Sequence, residues 1–513
     1  MEMIGRARSL QQAGRPADAA LLLRQAVAWA PALAEAHHHL ALVLQPVAAV
    51  SLLERLIGRA VRCAPDQAEA RANLALALCD QRRHDAAAVS ARWAVVLNPA
   101  YANGHANLGR VLKEQARLPE AVACLRRAVL LQPGAVFGWV NLGDALDEAG
   151  EMDAAFACVR SALLVDPAAA QAWNNLGHLL QGRGATEPLR RAIRLNPGYA
   201  AAHLNLGMDL LRQRQFEEGW REFDWWRATA PVLPGWKGAP QARWAGQDLR
   251  GKTLLLRGEQ GLGDMIQFAR YATLFAHAGA RVVLEIHPPL TRLLATIPGV
   301  AQTVALGSPP PPHDYHLQIM SVPGLLGTRL DTIPAEIPYL FADPAAVEAW
   351  RERLSALPGR KVGLVWGGNP RANDPAAHLV DRRRSLALAK LRPVLEKPGF
   401  SFVSLQKGAP AAQIGGLAFF DAMDEVRDFA DTAALCANLD LVISVDTSVA
   451  HLAGALGKPV WILSRHDGCW RWMLDRDDSP WYPTARLFRQ AIPGDWDEVV
   501  SRVAQALESF DPA

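Results

Sequence analysis

The sequence predicts an α-helical solenoid followed by an α/β region of two doubly wound units facing a cleft. Proline recurs at positions 31, 65, 99, 133 and 167, four successive steps of 34 residues. Leu40, Leu74, Leu108, Leu142 and Leu176 keep the same phase, as do Asn73, Asn107, Asn141 and Asn175. A repeat of this length is one helix–turn–helix unit, which buries its apolar face only by stacking on its neighbours. Beyond residue 250 the period vanishes and short apolar runs alternate with amphipathic stretches, the pattern of a parallel sheet covered by helices. At 513 residues the chain is too long for a single core.

Residues 1–228 read as the repeat array, about seven units long. Ala87, Ala121 and Ala155 are spaced by 34, as are Ala94, Ala128 and Ala162, small residues that let the two helices of a unit approach closely. Each proline closes a second helix because it has no N–H to continue the backbone ladder. From Pro167 to Pro197 the step shortens to 30, the loss of about one helical turn. The last unit keeps Asn205-Leu206-Gly207, then becomes FEEGWREFDWWR, with Trp220, Phe223, Trp225 and Trp226 in place of small residues. This segment is either a cap that packs on the next domain or a generic hydrophobic end.

With N-L-G, two alanines and proline in phase over five units, the array resembles the tetratricopeptide repeat. In such superhelices the asparagine-bearing helix lines the inner surface. Asn73, Asn107, Asn141, Asn175 and Asn205 would then form a ladder of amides, each able to donate and accept, that holds a protein or peptide acceptor. The alternative is that they serve repeat-to-repeat geometry.

Residues 229–250, rich in Pro, Gly and Trp, read as a linker, and 251–345 as the first α/β unit. TLLLR (253–257), RVVLEI (281–286) and QTVAL (302–306) are its predicted strands. The turn GEQGLGD (258–264) follows the first strand and opens a helix, as a phosphate- or substrate-binding loop does. Gly258, Gly261 and Gly263 allow tight backbone there, although the spacing is not the dinucleotide fingerprint. Asp264 stands at the carboxyl end of the strand, placed either to act as a general base or to cap its helix.

Residues 346–513 read as the second unit, with strands at 361–366, 400–405, 440–445 and 459–463. Its most specific motif is DLVISVDTSVAHLAGALGKPVWIL (440–463). Asp446-Thr447-Ser448 open a helix whose free N–H groups and dipole favour a diphosphate, and His451 lies one turn in. Read structurally, Asp446 is a cap and His451 a packed polar residue. Arg384, in the long loop 367–385, and Lys407, in SLQKG (404–408), are positioned to neutralise a leaving diphosphate without metal. The segment 469–490 gathers aromatics with Arg471, Arg476, Arg486 and Arg489. It serves either to stack on a sugar or base or to fasten the C-terminal segment across the domains.

Several function classes are disfavoured. A net charge of +3 gives no electrostatic case for nucleic acid or an anionic membrane as partner. The six cysteines form no C-x-x-C pair, no metal-ligand spacing or Walker motif occurs, and no long apolar segment spans a membrane. The expectation is a cytoplasmic protein with reduced thiols, no metal and no cofactor.

G-L-G-D after the first strand, V-D-T-x-x-A-H-L-A-x-A-L-G-K-P and the later Trp-Arg-Trp together resemble heptosyltransferase-like glycosyltransferases over roughly residues 250–510. Bacterial proteins that fuse such a domain to tetratricopeptide repeats look closest. The resemblance implies the GT-B architecture and transfer of a sugar from a nucleotide-diphosphate donor to an acceptor hydroxyl. It implies a base at Asp264 and donor contacts at Asp446, Thr447 and His451. Ser448 stands where a glycine is usual in that family. Donor contacts from Gly261, Gly263, Arg384, Lys407 and Ser448 follow from the residues themselves. The layout is similar to O-GlcNAc transferases, whose repeats hold protein substrates. The rival expectation is a non-catalytic repeat scaffold carrying a degenerate GT-B domain.

Overall fold

The computed structural model describes residues 2–44, 50–180, 184–229, 242–369, 375–417 and 419–511. Two compact units emerge. One holds Met1–Leu180 and Arg191–Pro197; the other holds Gln181–Arg190 and nearly all of the chain from Gly198 onward.

In the first unit, helices come in antiparallel pairs that follow the sequence period. Ala68–Asp80 pairs with His84–Leu97, Ala102–Glu114 with Leu118–Leu131, and Val136–Ala149 with Met152–Val165. Each second helix ends two residues before its proline, as at Leu97, Leu131 and Val165. The phased alanines lie where helices touch: Ala87, Ala121, Ala155, Ala94 and Ala162 are all 0% exposed. The period also extends to backbone conformation. Arg82, Ala116, Gly150 and Gly184, each 34 residues on, have positive φ in the turn between a first and a second helix.

The second unit contains two parallel sheets. Strands β1 (Ala242–Arg243), β2 (Thr253–Arg257), β3 (Arg281–Ile286), β4 (Val300–Ala305) and β5 (Tyr315–Gln318) take the order β1-β5-β2-β3-β4. Strands β6 (Arg360–Val365), β7 (Phe400–Ser404), β8 (Leu441–Val445), β9 (Val460–Ser464) and β10 (Ala485–Arg489) take the order β10-β9-β8-β6-β7. Seven of the ten strands among the described residues coincide with predicted runs. The unpredicted ones are short or polar. β1 has two residues inside the expected linker, β5 follows the proline run, and β10 lies in the arginine-rich segment. The expected loop 367–385 also differs, because Pro375–Arg384 is helical. Proline at a first helical position is pre-shaped for the helix it opens. Residues 370–374 of that loop lie outside the described residues.

Both sheets reverse direction. The chain leaves β2 for β3 and β4 on one side and returns to β5 on the other; it leaves β6 for β7 and returns to β8. Each reversal opens a crevice outside the carboxyl ends of the central strands, where ligands bind in such sheets.

The last helix pair, Ala200–Arg212 and Phe216–Phe223, belongs to the core of this unit. Trp220 Nε1–H donates to the Thr328 carbonyl (2.8 Å), and its ring meets Trp470 edge-on with centroids 5.4 Å apart. Phe223 lies 5.5 Å from the same Trp470 ring. The aromatic terminal repeat is thus a packed cap, the first of the two readings. Its glycine explains the N-L-G pattern: a Cβ on Gly207 would stand 2.3 Å from the Phe223 backbone nitrogen.

Candidate functional site

The two reversals lie at the loops singled out from the sequence. After β2 come Gly258 and Glu259, and the helix Leu262–Ala269 starts just beyond. After β8 come Asp446 and Thr447, and the helix Ser448–Ala455. The starts of these two helices touch. A Cβ on Gly263 would lie 2.8 Å from His451 Cδ2 and 3.5 Å from Ser448 Cα, so glycine is needed for the approach itself.

Asp264 carries two interactions. Gly261, not Asp264, is the residue that caps this helix; Asp264, three residues in, accepts the Gly261 N–H on Oδ2 at 2.8 Å, and its Oδ1 pairs with Arg471 Nη2. Arg471 presents a full fork. Its Nε donates to Gln267 Oε1 (2.6 Å), and its plane lies 4.4 Å over the Trp470 ring. Burial opposes this charge, but Asp264 foremost, with Cys469 and Asp446, raises the guanidinium above an ordinary arginine. The Trp-Arg-Trp element therefore fastens its segment onto the first sheet's helix, one of its two expected roles.

His451 is 5% exposed. Its Nδ1 hydrogen-bonds Tyr482 Oη (3.0 Å), and its ring stacks on Trp472 at 5.2 Å. Burial, aided by Arg471 and Arg270, pushes its imidazole well below the usual range, so it is neutral. A buried neutral ring between two aromatics is the packed polar residue of the structural reading.

Around the second crevice, Arg384 Nη1 donates to the Asp446 carbonyl at 3.0 Å while its fork holds Asp381 Oδ1 at 2.9–3.1 Å. Thr447 Oγ1 and Ser444 Oγ are 3.0 Å apart. Thr447 is the residue before the helix, with extended backbone. Gln406 fixes the loop after β6: its Oε1 accepts from Trp366 and Gly367, and its amide donates to the Gly367 carbonyl (2.9 Å). Lys407 Nζ donates to the Val426 carbonyl. The structure thus brings together Asp264, Gly261, Gly263, Ser448 and His451, and separately Asp446, Thr447 and Arg384; Lys407 is turned onto a backbone carbonyl.

The expected asparagine ladder spends its amides inside the fold. Asn107 Nδ2 donates to the Ala72 carbonyl (3.1 Å), one repeat back. Asn175 Nδ2 donates to Asp144, Asn73 meets His38 Nε2 at 3.3 Å, and Asn141 donates to the Phe137 carbonyl at 2.8 Å. Asn205 is half-buried. For Asn73, Asn107 and Asn175 the partner lies in the preceding repeat, which is the geometric reading of the pattern.

Glu259 is the residue sequence reasoning passed over. Its Oε1 accepts the Met320 N–H (3.2 Å), bridging the two strands of the first reversal, while Oε2 is shut from solvent without a partner. Burial pushes its carboxyl up to about 8, against hydrogen bonds from Met320 and Ile319, with Asp264 adding like charge. Glu259 is held protonated beside the carboxyl that Arg471 pairs with. Its place inside GEQGLGD was the available signal, but its partner Met320 follows β5, which the sequence did not reveal.

Among the described residues no group of three His, Cys, Asp or Glu is placed to hold a metal, and no helix is long and apolar enough to cross a membrane. Residues 106–163 match the family model of the tetratricopeptide repeat, so the array is a tetratricopeptide-repeat region. Among curated proteins the chain is similar to Protein FlbA of Caulobacter vibrioides, 32% identical over 340 residues, covering 59% of this chain and 54% of that one. The chain thus spans about half the length of the curated relative it matches. Among solved structures it is similar to MamA, at 19% identity and TM-score 0.28, covering 31% of this chain and 94% of that one. It is also similar to TTC0263, a thermophilic tetratricopeptide-repeat protein of Thermus thermophilus, at 20% identity and TM-score 0.33, covering 35% of this chain and 99% of that one.

Proposed function

We propose that the second unit is a GT-B glycosyltransferase that moves a sugar from a nucleotide-diphosphate donor to an acceptor hydroxyl. The observation that carries the reading is the meeting of two carboxyl-edge helix starts, Gly261–Asp264 from one parallel sheet and Asp446–Ser448 from the other. In this reaction the acceptor O–H gives its proton to the Asp264 carboxylate. The acceptor oxygen bonds the anomeric carbon as the bond from that carbon to the diphosphate oxygen breaks. The nucleoside diphosphate leaves with the bonding electrons, its charge balanced by arginines rather than metal. The repeats, as protein-interaction modules, would hold a protein or peptide acceptor.

Arg471 occupies the Asp264 carboxylate, so productive binding requires that Arg471 turn to another anion. Asp264→Asn is expected to lower transfer by roughly 10²–10⁴-fold. Transfer at the wild-type rate would remove Asp264 from the mechanism.

The same ion pair favours a second reading, a repeat scaffold whose GT-B half has lost turnover. Asp264 is engaged by Gly261 and Arg471, and His451 by Tyr482, as structural residues would be. Calorimetry with a panel of nucleotide sugars separates the two. Absence of binding at millimolar donor establishes the scaffold.

A further inference from the structure

Arg212 is the last residue of the repeat helix Ala200–Arg212, and its carbonyl accepts the Leu474 N–H at 3.2 Å. That bond holds the helix end at the segment that follows β9. The side chain is 13% exposed, and its nearest carboxylate, Asp209 Oδ1, stands 3.8 Å away, too far for a hydrogen bond. Its Nε is buried without an acceptor.

Other guanidiniums converge there. Arg465 Nε lies 3.3 Å from one oxygen of Asp467, and Arg383 Nη1 lies 3.5 Å from the other, so two cations share one carboxylate. Arg489 spends its Nε and Nη2 on the Arg476 and Trp472 carbonyls, and its Nη1 borders Gly468. Asp209, Asp446, Asp467 and Asp475 face the cluster, yet Arg212 and Arg489 are both held below the ordinary arginine range, first by burial and then by neighbouring arginines. A buried guanidinium short of acceptors is cheap to pair with phosphate oxygens, whose geometry its fork matches.

We infer that Arg212, together with Arg465, Arg383 and Arg489, forms a diphosphate-binding pocket at the carboxyl edge of the second sheet, so that the last repeat supplies a ligand-binding residue. The inference rests on the transferase reading only in expecting the diphosphate to arrive joined to a nucleoside and a sugar. The last repeat then contributes directly to the ligand site.

Calorimetry on the full chain tests this with inorganic pyrophosphate, uridine diphosphate, guanosine diphosphate and the two free nucleosides. Arg212→Gln and Arg465→Gln are each expected to weaken pyrophosphate and diphosphate binding roughly 10- to 100-fold, the loss of one charge-assisted contact, and to leave the nucleosides unchanged. Arg212→Lys should recover part of the affinity, since it restores the charge without the fork. Wild-type protein that binds neither pyrophosphate nor a nucleoside diphosphate at millimolar concentration overturns the pocket. So does a folded Arg212→Gln protein of wild-type affinity. Should Arg212→Gln fail to fold, Arg465→Gln at wild-type affinity has the same force. Arginine-dependent pyrophosphate binding without any nucleotide-sugar binding keeps the pocket and defeats the transferase reading. Nucleotide-sugar turnover that ignores Arg212 does the reverse.

Discussion

Gly263 and Glu259 show how single residues set the character of the crevice. Alanine at 263 gains up to about 1 kcal/mol of helix propensity. The added Cβ meets His451 Cδ2 at 2.8 Å, and that ring cannot retreat because Tyr482 and Trp472 hold it. Overpacking wins, so Gly263→Ala is expected to cost about 1–3 kcal/mol, read as a lower midpoint in denaturant unfolding. Glu259 gives a pH signature. Its carboxyl titrates near 8 in the folded chain against an ordinary 4.5, so the folded state keeps a proton the unfolded chain has released across that window. The stabilisation is complete below the ordinary value and is lost as pH rises toward 8. Glu259→Gln should flatten the pH dependence of stability between these limits by up to about 1.4 kcal/mol per pH unit. Unfolding curves of both proteins with unchanged slopes against pH would contradict a buried, protonated Glu259.

Elements repeat more than their sequence does. The left-handed turn recurs at Arg82, Ala116, Gly150 and Gly184, but only two of the four are glycine. A Cβ in that conformation costs about 1–2 kcal/mol, part of which glycine gives back as unfolded-chain entropy. Ala116→Gly is therefore expected to stabilise the array by up to about 1 kcal/mol, whereas Gly150→Ala should destabilise it; thermal melts of the two variants read the difference in sign. Asparagine illustrates the opposite case, where a phased residue has unphased bonds. Asn107 reaches back to the Ala72 carbonyl while Asn141 bonds within its own helix. Asn107→Ala removes this buried inter-repeat hydrogen bond while the Ala72 carbonyl keeps its own helical N–H, so it should cost more stability than an exposed polar substitution, about 0.5–1.5 kcal/mol.

Across the molecule as a whole, the last repeat is structurally part of the α/β unit. Trp220, Phe223 and Trp226 lie in the same apolar cluster as Phe268, Trp470 and Trp481. A fragment of residues 198–513 should unfold in one cooperative transition, while one of residues 251–513 should lack it and bind a hydrophobic dye through its uncovered Trp470 face. Cooperative melting of the shorter fragment would show that the helix pair is dispensable. The repeat period, the proline-closed helices and seven of the ten strands were legible in the chain alone, since all follow from neighbours within a few dozen residues of one another. So were the positions of both glycine- and aspartate-bearing turns. What those residues do was set by partners far along the chain: Arg471 lies 207 residues from Asp264, and Arg384 lies 62 from Asp446. Likewise Glu259 is held by Met320 just past β5, and Arg212 is drawn into an arginine cluster after β9. Burial and charge compensation depend on which segments the fold brings together. Local pattern therefore fixed the elements, while the state of the carboxylates and guanidiniums waited on tertiary packing.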